Sequence, residues 1–353
     1  MMKTIAISLS TVALLGLSGC DSTKLSTPAA LTRTPALLFD LRGKFTNPDG
    51  MTLKDGDIYL AMNNLASKKP GRIVRITQDD KLEDVIELPV HPETGVVSPL
   101  GIGFGADGNL YVNDNQMFAG KEKGLSRLLR VVFENGKAAH VETVANGMNQ
   151  ANGLAIKGDA LYLCDTSFET KDVHTSGVYQ LALSELSADK PVKIQAGKDD
   201  PHCILTLTTT GKWPVGANGL TFDSAGNLYV CNFGDSVLWR AEFDPAGKVA
   251  AFKPFCDAKA AGIESLDGAQ FDGQGYIWVA DFIGNAIARI STGGGKAEII
   301  AKNAPGDGKG GALDAPSECI RRGNKVYVSN IDLTFGPNTA DEYQTMSVID
   351  LDN

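Results

Sequence analysis

Histidine and cysteine are scarce in this chain, with four His and six Cys among 353 residues. The histidines, His91, His140, His174 and His202, stand in no ligand spacing with one another or with a cysteine, and no Cys-x-x-Cys occurs, so zinc chemistry is set aside. With Cys20 assigned to the export signal described below, five cysteines remain, an odd number that leaves at least one thiol unpaired. Basic clusters are missing as well. Lys and Arg total 33 against 42 Asp and Glu, a net charge of −9, with no basic run interleaved with aromatics, which excludes nucleic acid as a partner. Beyond the first twenty residues no apolar run approaches the roughly 18 residues needed to cross a bilayer.

Glycine is plentiful. The 39 glycines gather in phrases such as ADGN, SAGN and GQG between short apolar runs, a pattern of many short strands and an all-β fold. The start, MMKTIAISLSTVALLGLSGC, combines Lys3, an apolar run from Ile5 to Leu17 and a small-residue stop, as an export signal does. Its ending, Leu17-Ser18-Gly19-Cys20, resembles the bacterial lipobox, which implies lipidation of Cys20. Asp21 resembles the signal that retains lipoproteins at the inner membrane. Residues 1–19 are thus read as a lipoprotein signal peptide, 20–34 as a lipidated tether rich in Ser, Thr, Pro and Ala, and 35–353 as the folded domain, facing the periplasm of a bacterial envelope.

The folded part repeats. Aligned on the aromatic of the second strand (Tyr59, Tyr111, Tyr162, Tyr229, Trp278, Tyr327), six units follow at spacings of 51, 52, 66, 49 and 50 between their heads Asp49, Leu100, Asn152, Asn218, Asp267 and Ser317. A period near 50 with about four strands per unit predicts a six-bladed β-propeller. The last unit lacks an outer strand, and the unmatched run PALLFDL at 35–41 is expected to supply it and close the ring. The third unit carries a surplus between Leu183 and Gly216 with no helical period.

Each head opens an innermost strand, so the six should converge at the mouth of the central channel. Asp49, Asn152, Asn218 and Asp267 all offer a side-chain oxygen, which suits a hard divalent cation such as Ca²⁺. Asn-Gly and Asp-Gly are also ordinary turn dipeptides. Glu318, one place beyond the sixth head, is expected to point away from the mouth. Asp114, Asp165, Asn232, Asp281 and Asn330 recur three places after the aromatic and read as strand-end hydrogen bonders, some of them supporting a metal site. Met117, Phe118, Phe168 and Phe335 lie in long loops on the face that carries the heads, as candidates to line an apolar pocket.

These phrases resemble the gluconolactonase/regucalcin family of six-bladed propellers and, more distantly, diisopropylfluorophosphatase and paraoxonase. That family carries Glu at the head of the first blade, Asn at the third and fourth, and Asp at the fifth. The resemblance implies Asp49, Asn152, Asn218 and Asp267 as metal ligands, with Asp49 one methylene shorter than the family's Glu. It further implies Asp267 as general base or nucleophile and Asn152 as metal or substrate ligand. The implied activity is calcium-dependent hydrolysis of a small-molecule lactone or ester by a monomer. The alternative is a non-catalytic propeller lipoprotein, stabilised by its metal, that binds a protein or sugar. A quinone-dependent sugar dehydrogenase would need a charged cofactor pocket for which no constellation is present.

Overall fold

A computed structural model describes residues 32–352, apart from 121–122 and 170–173; Cys20 and the export signal lie outside the described residues. Six sheets, antiparallel but for one added strand, form the blades of a propeller. The fourth shows the plan, running outward from the axis through Ala217–Phe222, Leu228–Asn232, Val237–Phe243 and Val249–Asp257.

Each blade is covered on both faces by its neighbours, which explains why the second strands are apolar throughout rather than alternating with polar residues. In Leu228–Asn232, Leu228 and Val230 join the core shared with the third blade, whereas Tyr229 and Cys231 join the core shared with the fifth. The repeated aromatic therefore fills the space between blades. In three blades its polar tip is satisfied by an Asp of the preceding turn: Tyr111 and Tyr229 donate to Asp107 (2.9 Å) and Asp223 (3.1 Å), and the Trp278 indole to Asp272 (3.0 Å). In those turns Gly108 and Gly226 take φ of +80° and +87°, where a side chain is disfavoured. The five cysteines of the described residues are all free thiols; Cys164 and Cys231 serve as small core residues.

The chain ends close the ring as expected. Ala36–Asp40 pairs antiparallel with Thr345–Asp350, completing a sheet whose other strands are Lys325–Asn330 and Pro316–Arg322. Leu41, fully buried, anchors this strand in the core between the first and sixth blades. Arg33, within the tether segment, donates from its backbone N–H to Ile300 (2.7 Å) and from its guanidinium to the Leu351 carbonyl (2.8 Å). Deleting residues 32–41 should bare the edge of Thr345–Asp350 and lower the melting temperature by more than about 5 °C, with association visible by size-exclusion chromatography. A monomer of unchanged stability would refute this account of closure.

The surplus of the third unit has a structural use. Its Val192–Lys193 pairs in parallel with the outer strand Lys137–Met148 of the second blade, making that sheet five-stranded.

Candidate functional site

At the channel mouth the strands depart from regular pairing. In five blades the ladder between first and second strands shifts register at the head, between Pro48/Met51, Pro99/Ile102, Ala151/Leu154, Ala217/Leu220 and Pro316/Glu318. A bulge breaks the two-residue alternation, so the head and the residue after it are both freed from the pleat. In five blades that next residue is glycine, and none of the five adopts a left-handed conformation. A Cβ on Gly50 would lie 2.3 Å from the Leu100 carbonyl oxygen, and one on Gly153 only 2.2 Å from that of Asn218. Gly101, Gly219 and Gly268 meet the next head in the same way. The glycines are there because successive heads pack backbone to backbone around the axis, and the turn reading of these dipeptides does not hold.

Asp49, Asn152, Asn218 and Asp267 come together. All four line one pocket of about 350 Å³, together with Leu100, the head of the second blade. Ser317 turns away from it, to the Pro48 carbonyl (3.3 Å) and the Ser329 hydroxyl (3.1 Å). The Asn218 side chain lies beside the Asp267 carboxyl and favours its ionised form. The walls are apolar: Val215, Phe233, Phe282, Ile331, Leu333 and Phe335 on one side, Met117 and Phe118 on another. Phe233, Phe282 and Phe335 form a ring cluster with centroids 6.0 to 6.2 Å apart. Phe168 differs from expectation; it packs against Tyr179 in the core between the second and third blades. A larger and more open hollow of about 610 Å³ near Trp213 and Pro337 carries a single carboxylate, Glu264, and none of the heads.

Glu318 does not line this pocket, but it bears on it. It occupies the sixth blade's counterpart of the repeat glycine, next to the bulge between Pro316 and Glu318, and it is buried. Its carboxyl carbon lies 2.5 Å from where a Cβ on Gly268 would be, so the side chain reaches over the neighbouring blade beside Asp267. Its Oε1 accepts the Cys319 N–H (3.2 Å). The signal was present in the sequence, because Ser-Glu replaces a dipeptide that ends in glycine in the other five repeats.

Three carboxyls are thus buried together, and the charges that disfavour their ionisation are largely their own. Burial alone pushes Asp49 up to about 8. Burial and the Asp49 charge push Glu318 up to about 8. Burial, then Asp49 and Glu318, raise Asp267 well above the ordinary carboxylate range against the opposing effect of Asn218. Asp49 and Asp267 keep some exposed surface, as pocket-lining residues do. Three carboxylates that repel one another beside two amide oxygens fit a hard divalent cation, which would neutralise them.

Three of the recurring residues at the ends of the second strands, all aspartates, hold the segments before the heads in place. Asp165 accepts the N–H groups of Asn149 (2.9 Å) and Gln150 (2.7 Å), Asp281 those of Glu264 (2.9 Å) and Ser265 (2.8 Å), and Asp114 that of Ser98 (2.8 Å). In each case one partner lies two residues before a head. These aspartates act through the backbone and position the oxygen donors.

Residues 205–305 match the family described as the SMP-30/Gluconolactonase/LRE-like region. Curated protein sequences contain no significant match. Among solved structures, a luciferin-regenerating enzyme is similar with a TM-score of 0.59 at 15% identity, covering 90% of this chain and 95% of its own. A calcium-binding protein, regucalcin, from Agrobacterium tumefaciens gives 0.55 at 14%, covering 90% and 94%. A gluconolactonase from Xanthomonas campestris gives 0.53 at 14%, covering 92% and 96%. At these identities the likeness is one of fold. The chain thus has the fold of a six-bladed β-propeller, and its residues 205–305 are similar to the SMP-30/Gluconolactonase/LRE-like region.

Proposed function

We propose that this protein is a calcium-dependent hydrolase of an apolar lactone or related ester. The observation that carries the reading is the convergence of Asp49, Asn152, Asn218 and Asp267 at one apolar-walled pocket, with the Glu318 carboxyl packed behind them against Gly268. The naming of the A. tumefaciens structure as calcium-binding supports the choice of ion. Asp49, Asn152, Asn218 and Asp267 would hold the cation, with Glu318 adding charge from beside Asp267. When bound, a divalent cation polarises a substrate carbonyl and makes a coordinated water more acidic.

The chain's own groups supply the rest. Asp267 is the base that takes the proton from the attacking water, and the neighbouring Asn218 amide favours its ionised form. Asn152, a neutral oxygen donor on the same pocket, positions the substrate carbonyl. The Phe233, Phe282 and Phe335 cluster offers the substrate a hydrophobic wall and few hydrogen bonds, which favours alkyl or aryl lactones and esters over polyhydroxylated sugar lactones. We further read the chain as anchored by a lipid on Cys20, on the strength of its first twenty residues.

The test is a panel of aliphatic lactones, aryl esters and sugar lactones assayed with calcium and with chelator. Turnover is expected on the apolar members and should fall on the order of 100-fold when calcium is withdrawn. Calcium binding without turnover of any of them would reduce the site to a structural one and leave the pocket to a binding partner.

A further inference from the structure

A second group of carboxylates lies where the sixth blade begins. Asp314 sits in the segment leading into Pro316–Arg322, Asp332 follows Lys325–Asn330, and Asp341 belongs to the loop 331–344 that returns the chain to Thr345–Asp350. One oxygen from each lies within 4.8 Å of the other two. Proximity of acidic groups alone would mean little. Asp314, however, is only 2% exposed, and its Oδ2 has no hydrogen-bond partner.

Of the nine buried side-chain polar atoms without a partner among the described residues, Asp314 Oδ2 is the one that belongs to a carboxylate. Asp165 and Asp281 are also buried, and each accepts two or more backbone N–H groups. An unpartnered carboxylate oxygen withdrawn from water is costly, and the charged neighbours acting on Asp314 are Asp332, Asp341 and Asp307, all acidic. Burial and these neighbours push Asp314 up to about 8; burial first, with the Asp341 charge, pushes Asp332 up to about 7. Asp332 is partly satisfied, by the Asp341 N–H (3.1 Å) and the Gln344 amide. Asp314 lacks such a donor at Oδ2, and a cation would supply what is missing.

We propose that Asp314, Asp332 and Asp341 form a second site for a hard divalent cation, of the calcium class, which fastens the loop 331–344 to the start of the sixth blade. Three carboxylate oxygens without nitrogen or sulfur donors suit calcium, with carbonyls and water completing its shell. The loop tied down in this way contributes Ile331, Leu333, Thr334 and Phe335 to the pocket at the channel mouth. The second cation therefore sets one wall of the substrate pocket without touching the substrate.

The test needs no substrate. Glu342 is exposed and adjoins Asp341, so glutamyl endopeptidase should cut after it when the loop opens. In the whole chain, saturating calcium chloride is expected to slow this cut on the order of tenfold. The slowing should persist in Asp267→Asn, which impairs the channel-mouth site, and vanish in Asp314→Asn. Because Asp314 is buried, Asp341→Asn at the exposed end of the cluster serves as a second variant and should behave alike. Calorimetric calcium titration should count one site fewer in each of the two. Cleavage indifferent to calcium in the wild type, protection that survives both Asp314→Asn and Asp341→Asn, or protection lost in Asp267→Asn would each overturn the proposal.

Discussion

Replacing Asp267 with Asn is expected to lower calcium affinity at the channel mouth on the order of 100-fold, a cost of about 2.7 kcal/mol, and to take lactone turnover to background. The size follows from charge. In the proposed function Asp267 is both a charged ligand of the cation and the base, so the substitution removes an electrostatic contribution and a proton acceptor. Without calcium the same change should act in the opposite direction. Asp267 is held well above its ordinary range by burial and by Asp49 and Glu318, so a neutral amide relieves repulsion, and the calcium-free variant should melt above the calcium-free wild type at pH 8. Asn152→Ala removes only a neutral oxygen; it should depress turnover more than affinity and leave calcium-free stability nearly unchanged. Calorimetry with calcium and thermal melts in chelator separate the two variants. An Asp267→Asn protein that binds calcium as tightly as the wild type would remove Asp267 from the ligand set.

The ring and its oxygen-bearing heads were legible because each rests on repetition. Period 50, the recurrent aromatic and the strand missing from the last unit can all be counted, and the four oxygen-bearing heads share one phrase. The place of Glu318 was hidden by local geometry. Strict alternation does not foresee the bulge between Pro316 and Glu318, beside which its carboxyl packs against Gly268. The glycines were ambiguous for a related reason, since a turn and a close backbone contact demand the same residue. Val192–Lys193 could not be placed because its pairing is parallel and with another blade, which a pattern within one repeat does not encode. Asp314, Asp332 and Asp341 are scattered across 28 residues with no common spacing, and only the folding back of the loop 331–344 assembles them.

Stability without calcium should fall as pH rises from about 4 to about 8. Asp49 and Glu318 titrate near 8 in the folded protein against ordinary values of 3.8 and 4.5, so between these limits the folded chain holds protons that the unfolded chain has released. Their contribution is complete below about 4 and is lost as the pH passes through 8. Asp314, also near 8, adds to the same trend. Water in the pocket screens Asp49, so the combined loss should be on the order of a few kcal/mol. Calcium inverts the dependence. It requires ionised ligands and competes with protons for them, so its stabilising effect is small at pH 5 and grows toward pH 8. Melting curves from pH 4 to 9, in chelator and in millimolar calcium, should therefore diverge with rising pH. Parallel curves would mean that the buried carboxylates release no protons to calcium, and the cation would have to be sought elsewhere on the molecule. Divergence surviving in Asp314→Asn but not in Asp267→Asn would locate the linkage at the channel mouth, where the chemistry is assigned.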